Sequence, residues 1–243
     1  MSTFVVVHGG FGGAWEWTPV ARRLRALGHE VFTPTLTGMG ERAHLAAPDV
    51  AVDTHVEDIV AVLEMEDLHE VVLCAHSYGG VPVTGAADRV PGRIRLLIYI
   101  DALVPRHGES ALDLLPAWFG PQARATADTR GRVPMPSVLE PPSGWIEEEQ
   151  RIRYVQRLRP QPLGTFTEPI HLSGAVDALP TAFVRCTSAA LAGDPIAASA
   201  ARARARRCAY RELAAPHDPQ ALDPDGTAEL LHELATSISR TTT

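Results

Sequence analysis

A serine at the end of an apolar run, followed by glycines, is the first chemistry-bearing feature of this sequence. In Val71-Val72-Leu73-Cys74-Ala75-His76-Ser77-Tyr78-Gly79-Gly80 a β-branched run leads into small-x-Ser-x-Gly. A strand-to-helix turn this tight has room only for small residues two before and two after the serine, and Ala75 and Gly79 meet that demand. Such a turn lifts the Ser77 hydroxyl to the carboxyl edge of a sheet. A serine hydroxyl becomes a nucleophile when a base takes its proton. Of the ten histidines, His217 in Leu213-Ala214-Ala215-Pro216-His217 lies just past the last strand-like run, late in the chain as the order Ser, acid, His requires. His76, beside the serine, reads as a packing or hydrogen-bonding residue. The loop His8-Gly9-Gly10-Phe11-Gly12-Gly13 lets backbone amides turn into a site, and the amides of Gly10 and Tyr78 are the candidate donors to a developing oxyanion. The same loop does not complete a dinucleotide fingerprint. Trp15 holds the place of the third glycine, and no acidic residue ends the second strand near Thr33.

The third member should be a carboxylate that orients the histidine. Asp101 ends Leu96-Leu97-Ile98-Tyr99-Ile100, and an acid closing so apolar a run is out of place unless something pairs with it. Asp194 precedes Pro195, where it could cap a helix, and Asp218 adjoins His217, from where it cannot easily bend back to the imidazole. Asp101 is the leading candidate, with Asp194 left open.

These residues need a scaffold that brings strand ends together. Phe4–Val7, a continuous apolar run, and Glu30–Thr33, Val71–Ala75, Ile94–Ile100, Ala182–Thr187 and Ala209–Leu213 read as strands. Helical spacing is expected over Trp15–Leu27, Val52–Leu68, Ser77–Arg89, Pro195–Arg207 and Thr227–Ser239. The alternation predicts an α/β fold: a mostly parallel sheet of about six strands with helices on both faces. Residues 105–179 break the rhythm and are rich in Pro, Gly and aromatics (Trp118, Phe119, Trp145, Tyr154, Phe166). They are expected to form a cap inserted into a core made of residues 1–104 and 180–243. Phe11, Trp118, Phe119 and Tyr154 are the candidate walls of an apolar substrate pocket.

Composition narrows the remaining classes. The 243 residues carry a net charge of −7, and all 22 basic residues are arginine, so nonspecific nucleic-acid binding is not expected. The run at 201–207 reads as a solvated helix face. Three cysteines, Cys74, Cys186 and Cys208, suit buried reduced thiols better than a disulfide framework. No apolar run is long enough to span a bilayer, and Met1–Val7 lacks the basic start of a signal peptide, so a cytoplasmic protein is expected. No His-Glu-x-x-His or Cys/His cluster suggests a metal, and no cofactor is expected. The expected partner is a small apolar molecule, with homodimerisation left open.

The chain resembles the α/β-hydrolases of the hydroxynitrile lyase and plant methylesterase group, which also includes bacterial carboxylesterases and pyrethroid hydrolases. The matching pieces are His8-Gly9-Gly10 with Gly13-Ala14-Trp15, the loop Leu36-Thr37-Gly38-Met39-Gly40-Glu41-Arg42, the Ser77 turn, Asp101-Ala102-Leu103-Val104-Pro105, and the His217 loop. The resemblance implies an α/β-hydrolase fold, a nucleophile at Ser77, a base at His217 and oxyanion donors at Gly10 and Tyr78. Two departures follow. Hydroxynitrile lyases need a threonine and a lysine where this chain has Gly9 and Asp218. The group's acid follows the strand ending near Thr187, where this chain reads Ser188-Ala189-Ala190. Tyr99-Ile100-Asp101-Ala102-Leu103-Val104-Pro105 instead resembles haloalkane dehalogenases of the fold, whose acid ends the same strand. The expected activity is hydrolysis of an apolar or aromatic carboxylic ester, lactone or thioester through an acyl-enzyme on Ser77. The alternatives are a cofactor-free lyase, cyclase or isomerase using His217 as base, and a non-catalytic small-molecule binder.

Overall fold

A computed structural model describes residues 1–140, 147–188, 194–205 and 208–239. The first half alternates strand and helix: β1 (Thr3–Val7), α1 (Thr18–Ala26), β2 (Glu30–Phe32), α2 (Val52–Met65), β3 (Val71–His76), α3 (Gly80–Arg89) and β4 (Ile94–Ile100). Between β4 and the next long strand come short pieces: α4 (Ala111–Leu114), α5 (Phe119–Thr126), β5 (Arg132–Val133), α6 (Glu148–Arg157), β6 (Gln161–Pro162) and α7 (Gly164–Thr167). The chain closes with β7 (Thr181–Cys186), α8 (Ala197–Ala205), β8 (Ala209–Leu213), α9 (Pro219–Leu222) and α10 (Pro224–Ser239). Trp145 and positions 189–190 lie outside the described residues.

Six strands form one parallel sheet in the order β2-β1-β3-β4-β7-β8. Alternate residues serve opposite faces, as the two-residue period of a strand requires. Val5, Val7, Leu73 and Ala75 join the core under α2, α3 and α8; Phe4, Val6, Val72 and Cys74 join the one under α1 and α10. Apolar residues on both faces explain the continuous runs in the sequence. β5 and β6 pair antiparallel as a separate two-stranded ribbon.

Helix starts differ from the spacing-based expectation where proline intervenes. The expected helix from Trp15 is a 3-10 turn over Ala14–Trp17 followed by α1 from Thr18, with Pro19 in its first turn. Proline is tolerated there because no N–H is required of it. For the same reason the last helix starts at Pro224 rather than Thr227. α2 stops at Met65, not Leu68. Asp67 turns left-handed (φ 47°), and the Leu68 N–H closes back on Leu63 O at 2.9 Å, a Schellman ending.

The sheet order decides where a ligand can bind. From β1 the chain winds outward to β2, then crosses to β3 on the other side of β1. At such a reversal the loops leaving two neighbouring strands diverge, and a crevice opens at their carboxyl ends. The loop after β1 is the glycine-rich one, and the turn after β3 carries Ser77.

Candidate active site

Ser77 follows β3 at φ +50° and opens the 3-10 turn Ser77–Gly79 that leads into α3. Left-handed backbone at a residue with a side chain costs on the order of 1–2 kcal/mol, so surrounding contacts must enforce it. Those contacts explain the small residues. A Cβ on Gly79 would lie 2.5 Å from His8 O, and one on Gly80 would lie 2.1 Å from Leu103 O. The described residues contain six non-glycine positions with positive φ, and four of them, Phe11, Ser77, Asp101 and Asp194, belong to this end of the sheet.

Three side chains form one hydrogen-bonded line. His217 Nε2 is 2.9 Å from Ser77 Oγ, and His217 Nδ1 is 2.7 Å from Asp101 Oδ2. Asp101 is buried, and its other oxygen accepts from Arg185 Nη1 (3.0 Å) and the Cys186 N–H (3.2 Å). Burial alone would raise the Asp101 pKa. The His217 hydrogen bond, the charges of His217 and Arg185, and the Cys186 amide outweigh it and hold the carboxyl below its ordinary value. Burial likewise works against a charged His217, but the Asp101 hydrogen bond and the charges of Asp101 and Asp218 bring its pKa above the ordinary value. A carboxylate on Nδ1 fixes the tautomer that leaves Nε2 free to take the serine proton.

Of the other carboxylates, Asp194 accepts from Arg185 Nη2 at 2.7 Å and so braces the arginine that braces Asp101. Asp218 faces Tyr154, whose hydroxyl donates to Glu16 Oε1 at 2.9 Å and lies 3.4 Å from Asp218 Oδ1.

Three buried neutral histidines hold the surrounding loops. His8 donates from Nδ1 to Gly9 O (2.7 Å) and accepts the Leu36 N–H at Nε2 (3.1 Å); burial lowers its pKa to about 4. His55 donates to Thr37 O (2.8 Å) and accepts from Tyr78 OH (2.9 Å), and burial lowers its pKa to about 4 as well. His76 donates to the carbonyl of His217 at 2.7 Å; burial, then the nearby His217, lowers its pKa to about 3. The adjacent histidine therefore pins the loop that carries the candidate base. The Gly10 backbone lies against Tyr78: a Cβ on Gly10 would be 3.6 Å from Tyr78 Cβ, so the two expected amide donors are neighbours.

Above the line lies a cavity with an apolar wall of Phe11, Leu103, Trp118, Phe119, Phe166 and Ile196. Phe11, Trp118 and Phe119 thus line it as expected. Tyr154 does not. Its hydroxyl is bonded to Glu16 and its ring packs edge-on against Trp15 at 5.0 Å. Sequence reading missed Glu16 and weighed Asp218 only as a partner for the imidazole; both line the cavity, as His217 does. Burial, then the Asp218 charge, raises the Glu16 pKa well above its ordinary value, and burial raises that of Asp218. Nothing local in the sequence marks Glu16, because its neighbours in space come from α6 and the His217 loop. Among the described residues no group of three or more His, Cys, Asp or Glu side chains could hold a metal ion, and no helix is long and apolar enough to cross a membrane.

A strand-to-helix nucleophile turn at a sheet reversal, with a histidine and an acid from later loops, defines the α/β-hydrolase class. Residues 4–230 match the model of the alpha/beta hydrolase family, and the chain belongs to that family. It is 37% identical over 194 residues to a carbendazim hydrolyzing esterase of Nocardioides sp. (strain SG-4G), an alignment covering 74% of this chain and 77% of that protein. Methylesterase 10 of Arabidopsis thaliana is 32% identical over 48% of this chain and 42% of its own. The alpha-hydroxynitrile lyase of the same plant is 30% identical over 42% and 40%. Among solved structures, an extracellular alpha/beta-hydrolase from a Paenibacillus species superposes with a TM-score of 0.85 at 23% identity, covering 96% of this chain and 98% of that one.

Proposed function

We propose that the protein hydrolyses small carboxylic esters through an acyl-enzyme on Ser77. The observation that carries this reading is the unbroken line Ser77 Oγ, His217, Asp101, whose Ser77 and His217 line the cavity. His217 Nε2 takes the serine proton as Oγ bonds to the ester carbonyl carbon. The Gly10 and Tyr78 amides stabilise the oxyanion. The imidazolium returns the proton to the departing alcohol, and water then repeats the sequence on the acyl group. Phe11, Trp118 and Phe119 favour an apolar or aromatic substrate, held under a cap formed by residues 105–179. The Nocardioides relative acts, by its name, on carbendazim, so that compound and simple aryl esters are the first substrates to test. Lyase chemistry that releases an anion such as cyanide is disfavoured, because Asp218 and Glu16 stand beside His217 where a cation would be needed. A fluorophosphonate should label Ser77 alone, with loss of ester hydrolysis in proportion to labelling. Labelling elsewhere, or undiminished hydrolysis by the labelled protein, would overturn the acyl-enzyme.

A further inference from the structure

We propose that Gln161, on the cap ribbon, is a positioning residue for the oxyanion site: it holds the Gly10–Phe11 peptide in the geometry that presents the Gly10 amide. The inference rests on the acyl-enzyme reading above and adds to it a part of the catalytic machinery that comes from outside the core.

Phe11 has φ +64°, a backbone state that a phenylalanine does not keep unaided. Both of its backbone polar groups are held by one short stretch of the cap. Its N–H donates to Gln161 Oε1 at 3.0 Å, and its carbonyl accepts the Arg159 N–H at 2.8 Å. Gln161 is fully buried, and its own amide is fixed: Nε2 donates to Thr165 Oγ1 at 2.8 Å, and that hydroxyl donates to Pro162 O at 2.6 Å. The amide orientation is therefore dictated, with oxygen toward Phe11 and nitrogen toward Thr165. The same oxygen would stand 3.0 Å from a Cβ on Gly10, so residue 10 is closely approached as well as tethered. Around this bond the contact is reinforced by the Phe11 and Phe166 rings (centroids 5.8 Å apart) and by the Arg157 guanidinium 4.0 Å over the Trp15 ring. Removing the Gln161 acceptor leaves a buried Phe11 N–H without a partner. The peptide can then rotate to relieve the positive φ, and the preceding amide rotates with it. An oxyanion donor acts by being aimed before reaction, so a small rotation weakens transition-state binding more than substrate binding.

The test compares Gln161→Met, which keeps length without an acceptor, and Gln161→Glu, which keeps the acceptor. The readouts are kcat and KM for 4-nitrophenyl acetate and the affinities of an aryl trifluoromethyl ketone and its methyl ketone analogue. The former adds to Ser77 as an oxyanion; the latter binds as the ketone. Losing a whole donor costs about 10²–10³ in kcat, so Gln161→Met is expected to lose about 10–100-fold with KM within about 3-fold. Trifluoromethyl ketone affinity should fall in parallel, methyl ketone affinity should stay, and Gln161→Glu should recover most of the loss. If Gln161→Met does not fold, Thr165→Val, which releases the Gln161 amide, is measured in the same way. An unchanged kcat and unchanged ketone discrimination, or equal losses for both ketones, overturns the proposal. A wild-type protein that neither hydrolyses the ester nor prefers the trifluoromethyl ketone instead overturns the acyl-enzyme reading beneath it.

Discussion

Asp101→Asn replaces one oxygen with an NH₂ group and should separate the hydrogen-bond roles cleanly. The amide oxygen can still accept from Arg185 and from the Cys186 N–H, so the local fold is expected to survive. The amide nitrogen, however, would now face His217 Nδ1 at about the distance of the present 2.7 Å bond. It can only donate, so Nδ1 must accept, and the imidazole proton moves to Nε2, toward Ser77 Oγ. The base is then occupied before reaction begins. The cost of that wrong tautomer in a serine triad is about 10⁴ in kcat, or about 5.5 kcal/mol of activation free energy. The pH profile gives a second readout. Activity requires neutral His217, whose pKa lies above 6.5 in the wild type, so kcat/KM should rise with pH through that raised value. Without the Asp101 charge, burial dominates, and the residual activity of the variant should rise through a lower pH. Stability carries the same signature. The His217 contribution is complete below 6.5 and lost as pH rises through its folded pKa; that of Asp101 is present above 3.8 and lost as pH falls through its folded pKa. Both dependences should flatten in Asp101→Asn, measured by thermal melts across pH. A variant within tenfold of wild-type kcat, with an unmoved acid limb, would refute the tautomer argument and return the role of acid to another group.

Ser77→Ala should fold normally and lose about 10⁴–10⁶ in kcat, checked by steady-state kinetics after active-site titration of the wild type. Trp118→Ala should change KM and the ranking of aryl against alkyl esters more than the melting temperature, because the ring is only partly buried against the cavity wall. Gly80→Ala would place a Cβ 2.1 Å from the Leu103 carbonyl oxygen and should destabilise the protein by about 1–3 kcal/mol, read as a lower urea midpoint at unchanged slope.

The parallel sheet was legible because the inner strands β1, β3, β4 and β7 are apolar on both faces, whereas the edge strands β2 and β8 carry exposed charged residues. Ser77 was legible because a strained turn restricts the residues around it; that restriction is local, so it is written locally. The pairing of Asp101 with His217 was only suggested by a carboxylate at the end of an apolar run, and Asp194 could compete on spacing alone. The choice between them depends on which acid the β7 residue Arg185 and the His217 loop meet in space. Arg185 meets both, while His217 meets Asp101.

The segment between β4 and β7 shows the limit most clearly. Its aromatics were equally good candidates for the pocket by type, yet Phe119 lines the cavity while Tyr154 stands outside the lining, bonded to Glu16. Glu16 and Gln161 carried no signal at all, since a buried polar side chain is defined by the partner it finds, and these partners lie 138 and 150 residues away; Asp218 stood out only for its place beside His217, not for its contact with Tyr154, 64 residues away. The sequence by itself determined the sheet, the strained serine turn and the glycine loop, because steric rules act between near neighbours. Only the tertiary structure decided which acid His217 meets and which residues between β4 and β7 line the cavity, because partners far apart in the chain are selected by packing.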